Sequence, residues 1–143
     1  MSSCTFCGHH DAPDSIRVSV ENEVENLILH NNVTCFYVGN HGRFDSMALS
    51  VLRKCKEKYT QIIYFVVLAY LPEKKDEYQL YQNGETLFPD GIENTPKRFA
   101  ISDRNKWMVE HSDYIISYVQ NDFGGAARTL KLAENRHLRI IEI

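Results

Sequence analysis

The segment Phe36-Tyr37-Val38-Gly39-Asn40-His41-Gly42-Arg43-Phe44-Asp45 constrains the fold more than any other stretch of the chain. A β-branched and aromatic run ends at a glycine, and a second glycine follows three residues later. Phe44, Met47, Ala48, Val51, Leu52 and Cys55 then recur on one helical face. The pattern reads as a strand, a glycine turn and the start of a helix. Glycine allows a positive φ and lets a ligand approach the backbone. The free N–H groups at the helix start, at the positive end of its dipole, favour an anion such as phosphate. Taken alone, Gly-x-x-Gly is more often a plain strand-to-helix turn than a phosphate site.

The same device recurs along the chain. Residues 3–7 read as a first strand ending at Gly8, followed by the loop His9-His10-Asp11 and a helix opened near Pro13. Ile16, Val20, Val24, Leu27 and Ile28 form its apolar stripe. Val33–Val38 is the second strand, and the helix after Gly42 runs to about Lys58. Ile62–Ala69, nearly all apolar, fits a parallel strand covered on both faces. From Pro72 to Pro96 the periodicity fails; this segment is expected to lie over the carboxyl ends of the strands. Asp103 is placed to cap a helix from Arg104 to about His111. Tyr114–Val119 follows as a strand, Phe123-Gly124-Gly125 as another glycine turn, then a helix and a last strand over Leu138–Ile143. Alternation of this kind predicts an α/β fold: a Rossmann-like, doubly wound, mainly parallel five-stranded sheet of order 3-2-1-4-5, with helices on both faces. The three glycine turns all follow strands and converge on one sheet edge, where such folds bind ligands.

A length of 143 residues suits a single domain over 1–143. Net charge is −3, which argues against a nucleic-acid partner. The longest apolar run, Ile62–Leu71, is ten residues, too short to span a membrane. The first residues lack a basic region followed by an apolar stretch, so a cytoplasmic location with reduced thiols is expected. Cys4-x-x-Cys7 suggests a metal or redox pair, but in a strand that spacing directs the two thiols to opposite faces. Cys35 and Cys55 read as structural, and no metal or cofactor is expected.

Several motifs together resemble those of a known group. Phe6-Cys7-Gly8 with its polar loop is similar to the first turn of the LOG proteins, which release a nucleobase from nucleoside monophosphates. Gly39-x-x-Gly42, Arg104-x-x-x-Met108 and Gly124-Gly125 resemble their later motifs. The chain is more similar still to small bacterial members of the wider SLOG superfamily, through Gly8-His9, Gly39 to Asp45, Arg104-Asn105-Lys106-Trp107-Met108 and Gly124-Gly125-Ala126. The resemblance implies a nucleotide-binding domain. In the hydrolases the late turn carries a catalytic glutamate, and Lys131 stands in its place here. The carboxylate that would stabilise a developing oxocarbenium ion is therefore missing. Elsewhere in the superfamily such domains sense nucleotide-derived signals, including ADP-ribose derivatives in bacterial antiviral systems.

The reading that follows is a protein that senses or sequesters a nucleotide-derived small molecule without turnover; the alternative is a LOG-like phosphoribohydrolase. The expected ligand-binding residues are Gly8, His9, His10, Gly39, Asn40, His41, Gly42, Asp45, Arg104, Asn105, Gly124, Gly125, Ala126 and Arg128. Asp45 suits either a ribose hydroxyl or the dipole of its own helix. Arg104 suits a phosphate clamp or a solvated helix face, and Asn105 a base edge or a cap. Trp107 and Met108 read as core. If hydrolysis occurs, Asp76, Glu77 or Glu85 must supply the acid. Tyr78, Tyr81 and Phe88 suit a purine cover or a subunit contact. A homodimer or higher even-numbered oligomer is expected, with Phe44, Tyr59 and Tyr81 as candidate contacts.

Overall fold

The computed structural model describes residues 2–70 and 80–143. Six strands form one sheet: β1 (Ser2–Gly8), β2 (Val33–Val38), β3 (Ile63–Val67), β4 (Thr86–Leu87), β5 (Tyr114–Tyr118) and β6 (Arg139–Glu142). Their order is β4-β3-β2-β1-β5-β6. Every neighbouring pair is parallel. The helices among the described residues are α1 (Arg17–His30), α2 (Arg43–Lys58), α3 (Lys97–Glu110) and α4 (Gly125–Asn135). This is the doubly wound, Rossmann-like α/β arrangement, with one more strand than the five expected.

The sheet is covered on both sides because its strands alternate between two cores. On one side Cys4, Phe6, Phe36, Val38 and Val66 meet the stripes of α1 (Val20, Val24, Leu27) and α2 (Phe44, Met47, Val51, Leu52). On the other, Cys7 and Ile115 meet Val109 of α3 and Ala133 of α4. Cys4 and Cys7 thus face opposite ways, and burial pushes the Cys7 thiol up to about 12. Among the described residues no group of three or more His, Cys, Asp or Glu side chains could hold a metal ion. Among them, too, no helix is long and apolar enough to cross a membrane.

Three differences from the sequence pattern have physical causes. Helix α3 starts at Lys97, behind Pro96, rather than at Arg104. Proline lacks an N–H and suits a helix entry, whereas Asp103, inside the helix, instead accepts the Thr95 hydroxyl at 3.2 Å. The sixth strand, β4, comes from the aperiodic segment: Thr86 and Leu87 extend the sheet beside Val66 and Val67. A two-residue edge strand is too short to leave a periodic signature. The described part of that segment therefore adds a strand beside the last residues of β3, with Tyr81 and Phe88 packed on the core. Asp76, Glu77 and Tyr78 lie outside the described residues.

Glu85 fixes this edge. Its Oε1 accepts from Arg53 Nη2 and from the Gln82 N–H, both at 2.7 Å. Its Oε2 accepts from Arg53 Nε at 2.8 Å and from the Tyr64 hydroxyl at 2.5 Å. Those donors hold its carboxyl down at about 2, Arg53 contributing most. Glu85 is thus a buried structural anion that ties the β4 loop to α2 and β3, and it is not the substitute acid that hydrolysis would need.

Candidate functional site

The carboxyl ends of β1 and β5 open into a cavity of about 290 Å³ between the turn after β1, the start of α2, and helices α3 and α4. Gly8, His9, His10, His41, Asp45, Arg104, Asn105, Gly124, Gly125 and Ala126 all line it. Ten of the fourteen expected site residues are therefore brought together. Gly39, Asn40, Gly42 and Arg128 stand behind or beside the lining.

Each glycine serves a different need. A Cβ on Gly8 would fall inside the Phe44 ring, so this glycine admits core packing. The same contact buries Phe44 completely, which removes it as an exposed subunit contact. A Cβ on Gly39 would lie 2.7 Å from Asp45 Oδ2 and 3.0 Å from Arg104 Cζ. The space at Gly39 is thus taken by two side chains of the chain itself, not by an incoming phosphate. Gly42 has φ 92° and backs onto the His10 backbone, whose Cα is 2.5 Å from where its Cβ would be. The Arg43 N–H donates to the His10 carbonyl at 2.9 Å across this contact, fixing the β1 loop against α2.

Arg104 is the centre of the polar network. It is only 1% exposed. Its Nη1 donates to Asn40 Oδ1 at 2.9 Å and to the Val67 carbonyl at 3.0 Å, and its Nε donates to Asn105 Oδ1 at 2.8 Å. Its Nη2 lies 3.3 Å from His41 Nδ1. Most of the fork is thus spent on the protein, and its role is to join α3 to the ends of β2 and β3. Sequence alone could not distinguish this from a phosphate clamp, because both need a planar donor set at the same place.

Burial and the Arg104 cation both lower His41. A neutral ring accepts from Arg104 at Nδ1 and presents Nε2–H to the Tyr70 hydroxyl at 3.3 Å. Burial raises the Asp45 carboxyl to about 6, although Arg104 and the His41 N–H both draw it down. Oδ2 of Asp45 accepts that N–H at 3.0 Å, which ties the glycine turn before α2 to a carboxylate in the first turn of that helix. His9 Nε2 accepts the Gln120 N–H at 2.6 Å, which ties the loop after β1 to the end of β5.

The start of α4 differs. Gly124 has φ 94° and ψ 179°, nearly the values of Gly42, 92° and 177°. The two helices therefore enter the site through the same backbone turn. Neither cap makes a side-chain hydrogen bond, but the first turn of α2 holds Asp45 whereas that of α4 holds no acidic residue. Among the described residues, a Cβ on Gly124 would meet nothing within 4 Å. The first N–H groups of a helix have no partner within it, and here they belong to residues lining the cavity. Lys131, at the place of the hydrolases' glutamate in the motif resemblance, is exposed and absent from the lining.

Phe6, Cys7, Ile101, Met108, Asn121, Phe123 and Thr129 complete the lining. Thr129 was legible in principle, since it stands one helical turn after Gly125 and donates to its carbonyl at 2.9 Å. Ile101 required the earlier start of α3, which brings an extra turn of helix to the cavity. Trp107 stays out of it, edge-on to Tyr37 with ring centroids 5.2 Å apart.

No protein-family model matches the chain. No curated protein matches it either. Among solved structures, the fold is similar to that of DNA processing protein A from Helicobacter pylori, described for its single-stranded DNA binding mode; the TM-score is 0.69 at 13% identity. The likeness covers 99% of this chain and 64% of that one. The chain therefore shares a Rossmann-like fold compatible with nucleotide binding and spans about two thirds of its neighbour. It also corrects one expectation. Net charge argues against a nucleic-acid partner, yet this fold is shared with a single-stranded DNA-binding protein, and a total of −3 says nothing about the sign of any one groove.

Proposed function

We propose that the chain binds a nucleotide-derived ligand in the cavity at the strand ends, with a phosphate at the start of α4, and releases it chemically unchanged. The observation that carries this reading is the contrast between the two helix entries. Asp45 places a carboxylate in the first turn of α2, where it accepts the His41 N–H, whereas the first turn of α4 holds no acid and borders the cavity. Donors without partners at a positive dipole end attract phosphate. His10 and Asn105 offer polar edges nearby, and Met108 and Phe123 offer apolar surface for a base.

The case against turnover rests on the carboxylates. Asp45 is the one acidic residue among the described residues lining the cavity, and it is engaged by the His41 N–H. Glycoside hydrolysis by a pair of carboxyl groups would need a second.

A second reading is favoured by the structural likeness: the same cavity takes a nucleotide unit of a single strand of DNA or RNA. Calorimetric titration with AMP, ADP-ribose and a short 5′-phosphorylated oligodeoxynucleotide separates the two readings, and chromatography of the recovered ligand tests turnover. Small nucleotides recovered intact support the first reading. Binding of the oligonucleotide alone supports the second. Release of free base in multiple turnovers overturns the claim that the ligand is returned unchanged.

A further inference from the structure

Beside the main cavity lies a second, of about 520 Å³, between α3 and α4. The two share Ile101, Asn105, Gly125 and Thr129, so one continues into the other around the start of α4. Arg98 and Arg128 line the second cavity, and among the described residues no carboxylate does. Both arginines are exposed. In a chain with net charge −3, this places two cations without an acid where a ligand leaving the first cavity would emerge. Arg98 also lies over the Phe99 ring, 4.8 Å from its centroid, which orients the guanidinium while leaving its N–H edges for an acceptor.

We infer that the groove between α3 and α4 is a second anion subsite, taking a further phosphate of the ligand whose first phosphate sits at the start of α4. This inference rests on the nucleotide reading above and deepens it: the ligand carries at least two phosphates, joined through a diphosphate or a phosphodiester link. Guanidinium groups suit either, since both present paired oxygens. A mononucleotide would leave Arg98 and Arg128 unused. The position of Arg128, outside the first cavity yet one turn from Gly125, follows from the same arrangement.

The test is calorimetry with AMP, ADP-ribose and a 5′-phosphorylated deoxydinucleotide, on the wild type and on the double variant Arg98→Gln, Arg128→Gln. Both positions are exposed on helices, and glutamine keeps a good helix propensity, so the variant should fold; a thermal melt confirms it. At least one of the two-phosphate ligands should bind the wild type on the order of tenfold or more tighter than AMP, a typical gain from added charge-assisted contacts. The variant should lose that gain while its affinity for AMP stays within about twofold. ADP-ribose showing the gain identifies a diphosphate ligand, and the dinucleotide showing it identifies a phosphodiester. If AMP binds as tightly as both longer ligands, or if the variant weakens all three alike, the second subsite is wrong while the first reading stands. If no nucleotide binds, both fall.

Discussion

Oδ2 of Asp45 accepts the backbone N–H of His41 at 3.0 Å, four residues back along the chain. The carboxylate, in the first turn of α2, thereby holds the glycine turn that leads into the helix. The equivalent turn at Gly124 has nearly the same backbone angles and no such group. The first turn of one helix carries its own acid and that of the other does not, and this asymmetry underlies the functional reading.

Asp45 should give the protein an unusual pH dependence. Burial raises its carboxyl from 3.8 to about 6, so the folded state binds this proton more tightly than the unfolded chain. Its contribution to stability is full below 3.8 and is lost as pH rises through about 6. Urea midpoints measured on both sides of this window should fall with rising pH in the wild type relative to Asp45→Asn. Parallel profiles for the two proteins would show that Asp45 is not the group responsible.

Glu85 should act in the opposite sense. Its carboxyl is held down from 4.5 to about 2, so its contribution is present above 4.5 and is lost as pH falls through about 2. Glu85→Gln keeps the shape and removes the charge facing Arg53. It should destabilise by roughly 1–3 kcal/mol, between the values for exposed and fully buried ion pairs. Chemical denaturation at neutral pH measures the loss, and an unchanged midpoint would mean that the bidentate contact contributes nothing net.

Truncating Arg104 should be among the most damaging single changes. Arg104→Met strands the Val67 carbonyl and the Asn40 and Asn105 side chains, and it removes the cation facing Asp45. A loss of about 3–5 kcal/mol is expected, as for other broken buried charge networks. A variant as stable as the wild type would contradict this structural role for Arg104.

The glycines provide a further comparison. Gly124→Ala meets no neighbour among the described residues, so it should cost only the strain of its φ of 94°, roughly 1–3 kcal/mol. Gly42→Ala adds a clash with the His10 backbone to a similar strain and should cost more. Gly39→Val should lower stability by parting Asp45 and Arg104, with any loss of binding following from that. Denaturation curves rank the three, and a Gly42 variant as stable as the Gly124 variant would contradict the packing described.

The sheet and most of its helices were legible because their signals are local and periodic. The stripe of Val20, Val24 and Leu27, and the run Val33–Val38, carry their own burial pattern. Most of the lining was also legible, since a doubly wound fold brings every turn after a strand to one edge. What each residue does there was not. Gly8 and Gly39 read as room for a ligand but hold Phe44, Asp45 and Arg104, because contacts between residues far apart in sequence decide what fills a missing Cβ. Glu85 read as a loop acid and is a buried anion for the same reason: its partners Arg53 and Tyr64 are distant in the chain.

The most direct test of the account is phosphate dependence, measured by titrating the wild-type protein with AMP and with adenosine under identical conditions. The two ligands share base and ribose and differ only in the group assigned to the start of α4. AMP should bind more tightly by a factor on the order of ten or more, from charge-assisted contacts to the N–H groups near Gly125 and Ala126. Equal binding of AMP and adenosine, or binding of neither, would contradict the proposed site.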